Sequence, residues 1–364
     1  MREELTIERD DISRFMCENC GANMGFDAAT GGLLCGYCGS NRPVEISGEV
    51  EEVPYEAALS SGAHELQRIA INAMEAQCDS CGAVVEFTPP ETATLCAFCG
   101  AKIVAQPKAA DPRIAPNGVL PFAVPNDAAM CAFNKWLGSL WFAPSKLTQL
   151  ANADKLDSIY IPYWTYDAQT DSYYEGQRGE NYTDWETYTV NGERKRRPVT
   201  KTRWYSASGN VSRHFDDICI PATRSLPHAY LNRLEPWDLG NVVPYEPAYL
   251  SGHKAQAYQI ILPDGFAGFR QIATRVIESD CRRDIGGDRQ RVHDVNTQYS
   301  DITFKHLLLP IYAGAYRFNG KVFQIVVNGR TAEVHGGRPY SWIKITLFVA
   351  AILLILLLLI AVFS

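Results

Sequence analysis

Apolar positions fall into three patterns along the 364 residues, and each predicts a different element. Near the C-terminal end, Ile345 to Phe363 ("ITLFVAAILLILLLLIAVF") runs 19 residues without a charge or a polar face. At ~1.5 Å per helical residue this run reaches roughly 28 Å, the hydrocarbon thickness of a bilayer, and so predicts a transmembrane helix over 345–363. Helical spacing recurs in "PNDAAMCAFNKWLGSLWFAP", with Ala129, Phe133, Trp136, Leu137 and Leu140 on one side. It recurs again from Asp264 to Asp284, with Phe266, Phe269, Ile272, Ala273, Val276 and Ile277 on one face. The third pattern is β-rich: "LDSIYIPYWTYDAQTDSYY", "LLLPIYAGAYRF", "KVFQIVV" and "RTAEVHG" predict strands, and Asn-Gly at 191–192, 319–320 and 328–329 marks hairpin turns. Strands and helices that do not alternate as βαβ units give an α+β domain with an antiparallel sheet over 119–340.

The first 118 residues are organised by cysteine. Cys17 and Cys20 stand 14 residues before Cys35 and Cys38, and the arrangement repeats with the same gap at Cys78, Cys81, Cys96 and Cys99. Two tight CxxC corners deliver four thiolates to tetrahedral zinc, so the repeat predicts two zinc β-ribbons, at 1–46 and 77–107, and two Zn(2+) per chain. The copies also share Gly21 with Gly82, Phe26 with Phe87 and Leu34 with Leu95, which supply each ribbon's turn and small core. Disulfides and an iron site compete with this reading. The charged start "MREELTIERDD" has no apolar signal segment, which argues against an oxidising compartment for these thiols. Leu59, Ala63, Leu66, Ala70 and Ala73 predict a helical linker over 47–76, broken near Ser60-Ser61-Gly62, and a Pro/Gly-rich linker follows over 108–118. Cys131, Cys219 and Cys281 are isolated and read as small buried hydrophobes.

Charge changes the picture in two places. Residues 1–107 carry six basic and 17 acidic side chains, a net of −11, and such a region repels phosphates, so the ribbons read as protein-docking modules and nucleic acid as an improbable partner. Arg338 and Lys344 precede the apolar run and nothing cationic follows it. The positive-inside rule then expects a single-pass anchor in the cytoplasmic membrane with the N-terminus in the cytoplasm. Arg194, Lys195, Arg196 and Arg197 follow the 191–192 turn; the run reads either as a solvated hairpin tip or as a patch facing anionic headgroups, and RNA would use the same charges. His214 with Asp216 and Asp217 reads as a polar turn in preference to a catalytic cluster, and "DIGGDRQRVHD" as a helix stop and turn. No phosphate-binding loop, GxGxxG after a strand, HExxH or GxSxG occurs, so no enzyme is expected.

The leading ribbons, "YIPYWTYDAQTDSYYEGQRG", "FDDICIPAT", "LEPWDL", "DIGGDRQRV" and "TFKHLLLPIYAGAYRFNGKVFQIVVNGRTAEVHGGRPYSWIKI" together resemble bacterial TFIIB-type zinc-ribbon membrane proteins, some of them encoded beside phage-shock-protein-A homologues. Names such as primosomal protein N′, replication factor Y or superfamily II helicase attach to members through the ribbon alone. The resemblance implies a membrane-anchored scaffold that recruits cytoplasmic or membrane proteins, a phage-shock-protein-A-type protein among them, in the envelope-stress response. The competing reading is a nucleic-acid-binding ribbon protein related to replication or transcription. The resemblance also leads one to expect glycine after Thr331, where this chain has Ala332.

Overall fold

A computed structural model describes residues 15–46, 48–61, 74–78, 83–87, 93–96, 98–99, 101–104, 108–109, 114–144 and 156–363. Cys81 and most of the expected helical face in the 47–76 linker lie outside them. Among the described residues the chain is α+β, with antiparallel pairing dominant, cysteine clusters near its start and one apolar helix at its end.

Three very long strands set the shape. Asp157–Val190 pairs antiparallel with Glu193–Pro221 on one side and, as far as Gly179, with Arg289–Phe318 on the other. Residues 159–168 of the first strand are buried on both faces, which is why that segment reads as a nearly continuous apolar run. From 181 to 190 it is exposed apart from half-buried Asp184, so its distal part projects from the body as a two-stranded arm. At ~3.3 Å per residue the 34-residue strand has a contour of roughly 110 Å. The arm ends at Asn191-Gly192, whose φ values of 53° and 82° make the mirror-image turn that suits twisted strands.

Body and arm meet where the register breaks on both sides of Asp167. Asp217 and Asp301, one on each neighbouring strand, adopt φ of 49° and 51° there, and the Asp167 carboxylate accepts the Asp217 amide. The segment with His214, Asp216 and Asp217 is therefore a β-bulge inside a continuous strand rather than a turn, because one extra residue must be absorbed to keep the pleat in phase. The helix Leu262–Ile285 lies across this root and buries Phe269, Ala273, Ile277 and Cys281 against Tyr166, Phe215 and Phe304. It stops at Gly286 with φ 63°, as expected. Cys219 is half-buried, whereas Cys131 is exposed on the helix Asn126–Ser139, contrary to its reading as a core residue.

Elsewhere the sheet recruits segments that looked like linkers. Met74–Gln77 pairs with Val84–Phe87, so the second ribbon's hairpin begins before residue 77, and Lys108–Ala109 pairs with Met74 and Glu75. Gly118–Val119 pairs parallel with Leu307 and Leu308. Asn319-Gly320 is a two-residue hairpin turn, with φ of 49° and 78°. Asn328-Gly329 is not: the loop runs on to Glu333, and the Asn328 side chain accepts the Arg330 amide at 2.7 Å while Ala332 takes φ 61°.

Among the described residues the helix Trp342–Phe363 meets the body at its root. Ser341 donates its amide to Phe142 O at 2.7 Å, Lys344 Nζ donates to Ala143 O at 2.7 Å, and Phe348 packs edge-on to Phe142. The chain reaches this root through Gly336, which pairs with Ile325 beside Gly314, just past the Asp157–Ala313 pair. The apolar helix thus starts at the end of the long strands opposite the arm.

Candidate metal centres

Each cysteine cluster is built by hairpin corners. In the first ribbon, Met24–Asp27, Gly32–Cys35 and Asn41–Pro43 form a three-stranded sheet, and Gly21 and Gly39 take φ of 73° and 75° directly after the CxxC pairs. This left-handed step lets the amides of Gly21 and Gly39 return to the carbonyls of Cys17 and Cys35 at 2.8 and 2.9 Å. Cys17, Cys20, Cys35 and Cys38 are brought together with all four sulfurs within 4.8 Å of one another. Cys78, Cys96 and Cys99 converge in the same way in the second ribbon, where Cys81 is outside the described residues.

The donor sets fit a metal. Closest sulfurs are 3.5 Å apart, at Cys17–Cys38, Cys20–Cys35 and Cys78–Cys99. A disulfide needs about 2.05 Å, whereas a tetrahedron with Zn–S near 2.3 Å has edges of about 3.8 Å. The described cysteines are free thiols. Hydrogen bonds from the Ser40 hydroxyl and amide bring the Cys38 thiol down to about 6. The Ala22 amide lowers Cys20, but the Cys35 sulfur, desolvation and two further sulfurs outweigh it and push that thiol up to about 12. Four crowded sulfurs cannot all ionise unless a cation joins them.

Among the described residues the cores of the two ribbons lie on opposite faces of one sheet, and the second ribbon also joins its edge, where Val85 and Glu86 pair with Gln256 and Ala255. Residues on the central strands alternate: Tyr160, Leu308 and Tyr312 face the first ribbon's core of Cys17, Met24, Phe26, Leu33 and Cys35. Ile159, Ile161, Leu307, Leu309 and Ile311 share a cluster with Cys78, Ala83, Cys96, Phe98 and Cys99 of the second. His253 pins the first ribbon: its Nε2 donates to Phe26 O at 3.2 Å, Nδ1 accepts from Ser158 Oγ at 2.8 Å, and the ring stacks on Phe122 at 4.5 Å. Burial pushes the His253 imidazole down to about 4. Gln324 pins the second by donating Nε2 to Phe98 O at 2.9 Å. On the first ribbon Cys20, Cys38 and Tyr37 remain exposed, Tyr37 by 86%.

The connection between the ribbons is fastened at the body–arm junction. Val53–Pro54 pairs with Thr303 and Phe304, and Lys305 Nζ, on a side chain only 10% exposed, lies 2.7 Å from Asp217, 3.1 Å from Glu52 and 3.9 Å from Asp167. Burial pushes the Asp167 carboxyl up despite the Asp217 amide, and the Thr303 hydroxyl holds Glu52 below the usual carboxylate range. Burial disfavours the Lys305 ammonium, but the Asp217 carboxylate outweighs that and raises its pKa.

Arg194, Lys195, Arg196 and Arg197 stand at the arm's tip and are split between its faces. Lys195 and Arg197 lie beside Glu193 at 3.9 Å and Glu186 at 3.5 Å, with Arg197 also over the Tyr188 ring. Lys201 and Asp184 continue that face with an ion pair at 2.6 Å, which holds the Asp184 carboxyl low. Arg194 and Arg196 are on the other face, opposite Thr189 and Thr187. The split was accessible from sequence, because a two-residue turn at 191–192 fixes residue 190 against 193 and hence 186 against 197.

The chain is similar to the uncharacterized protein YdjG of Bacillus subtilis strain 168, with 25% identity over 342 residues covering 94% of each chain. At that coverage the likeness takes in more than the CxxC segments. No family model and no solved structure matches the chain.

Proposed function

We propose that the chain is a zinc-stapled scaffold, anchored by its apolar helix in the cytoplasmic membrane with the body in the cytoplasm, that recruits partner proteins to the membrane surface. The observation that carries this reading is the helix Trp342–Ala361, with mean hydropathy 3.1 and none of it buried in the protein, rooted at one end of a sheet whose other end is a bare arm. Such a surface is stable in lipid and costly in water. Trp141, Trp342 and Lys344 at its root have the amphipathic chemistry of a membrane–water boundary. In this scheme zinc, bound by Cys17, Cys20, Cys35 and Cys38 and by Cys78, Cys81, Cys96 and Cys99, holds two clasps closed on the sheet. The resemblance to ribbon proteins encoded beside phage-shock-protein-A homologues supplies the partner class and the envelope-stress setting.

Two measurements on the full chain test the reading. Elemental analysis after purification in detergent is expected to find two zinc per chain, and a metal-free or iron-loaded protein would overturn the zinc assignment. Fractionation of cells is expected to find a phage-shock-protein-A-type partner on membranes with the full chain and in the soluble fraction when Ile345–Phe363 is deleted. A partner distribution indifferent to the chain would sink the scaffold.

A further inference from the structure

The split of the basic run leaves one face of the arm cationic and unneutralised. From Gln177 to Thr189 and from Arg194 to Ser206, the residues on this face include no carboxylate. They include Arg194 and Arg196, for which no acidic partner occurs among the described residues, and Trp185, 62% exposed and opposite Pro198. Where the third long strand begins, Arg289 and Arg291 pair with Gly179 and Gln177 and join the same face, and the Arg291 guanidinium lies 3.9 Å over the Trp204 ring. Asp288, beside them, accepts the Asn181 amide at 2.7 Å. The opposite face, by contrast, is zipped by its own ion pairs.

We propose that this face binds an anionic phospholipid surface through Arg194 and Arg196 at the tip, Arg289 and Arg291 behind them, and Trp185 at the interface. Charge complementarity selects phosphate-bearing headgroups, arginine matches them with bidentate donors, and exposed tryptophan prefers the headgroup level of a bilayer. The stripe from the Gln177–Arg291 pair to the Thr189–Arg194 pair is roughly 40 Å long at ~3.3 Å per residue, so several headgroups can be engaged together. Because the apolar helix leaves from the other end of the sheet, this is a second membrane contact, able to meet lipid far from the anchor. Lys195 and Arg197, neutralised by Glu193 and Glu186, take no part.

The full chain, inserted into a nanodisc of phosphatidylcholine and mixed with vesicles containing phosphatidylglycerol, tests this by vesicle flotation without any protein partner, so its outcome is separate from that of the recruitment reading. Wild-type discs are expected to float with these vesicles and not with pure phosphatidylcholine. Arg194→Ser with Arg196→Ser should weaken recruitment about 25-fold, at roughly fivefold per arginine near the surface. Trp185→Ser should weaken it as well. Lys195→Ser with Arg197→Ser removes the same two charges and should change it less than about threefold, since those cations are already paired. Equal losses in the two double variants would refute the assignment to one face. Flotation that ignores phosphatidylglycerol, or submicromolar binding of RNA or DNA by the same face without vesicle recruitment, would overturn the lipid assignment.

Discussion

Acidification is expected to release the first ribbon from the sheet through a single imidazole. His253 joins Phe26 of the ribbon to Ser158 of the first long strand and is held neutral, its pKa pushed from 6.5 down to about 4 by burial, while the Phe26 carbonyl and the Asp27 charge pull weakly the other way. Because the docked value is the depressed one, the undocked ribbon binds the proton first. The stabilisation is complete above pH 6.5 and drains away as pH falls toward 4. Between pH 7.5 and 5 the difference in proton binding amounts to about 2 kcal/mol, since each pKa unit is worth about 1.4 kcal/mol and about 1.5 of the 2.5 units have been crossed. Hydrogen exchange of the full chain, corrected for intrinsic rates, reads this at the Phe26 amide, which donates to Ser251 O at 2.8 Å. His253→Gln supplies the comparison, because it cannot titrate and any acid loss of metal affects both proteins alike. Wild-type protection should fall by about 2 kcal/mol more than that of His253→Gln across this range; equal pH slopes would refute the argument.

Two further outcomes follow from the junction and the last loop. Lys305→Met should destabilise the protein by about 3 kcal/mol, the cost of leaving buried carboxylates without their cation, and adding Asp167→Asn should recover part of it; thermal unfolding in nanodiscs measures both. Ala332→Gly should stabilise by about 0.5 to 1 kcal/mol, because φ 61° strains an alanine by more than the added freedom of unfolded glycine costs; a lowered melting temperature would contradict this.

The parts of the fold legible in the sequence are those set by local pattern. Ile345–Phe363 announces itself by uninterrupted apolarity, Asp264–Asp284 by helical period, and the cysteine clusters by CxxC spacing. What was not legible depends on pairing between distant residues. Nothing local distinguishes Asp217 in a turn from Asp217 in a bulge; the bulge exists because the register on both sides of Asp167 must be reconciled. Nor does the sequence indicate that the two ribbons close on opposite faces, since His253 and Gln324, which pin them, lie hundreds of residues away and carry no motif. Ala332 is a mixed case: the resemblance led to glycine there, and the backbone does adopt a conformation that glycine would suit.

The clasps also impose an order on synthesis. Val53–Pro54 pairs with Thr303–Phe304, a partner made 250 residues later, and the first ribbon's docking residues Ser158, Tyr249 and His253 likewise follow it by more than a hundred. At about 5 to 20 residues per second, the interval between Val53 and Thr303 leaving the ribosome is roughly 10 to 50 s. Until the long strands from Asp157 onward emerge, the undersides of the ribbons, with Met24, Phe26, Leu33 and Phe98, have no sheet to cover them. On the proposed zinc-bound reading, metal capture is the event that shapes these knuckles in time, so a cell short of the metal would lose newly made chains to aggregation before it lost the finished protein.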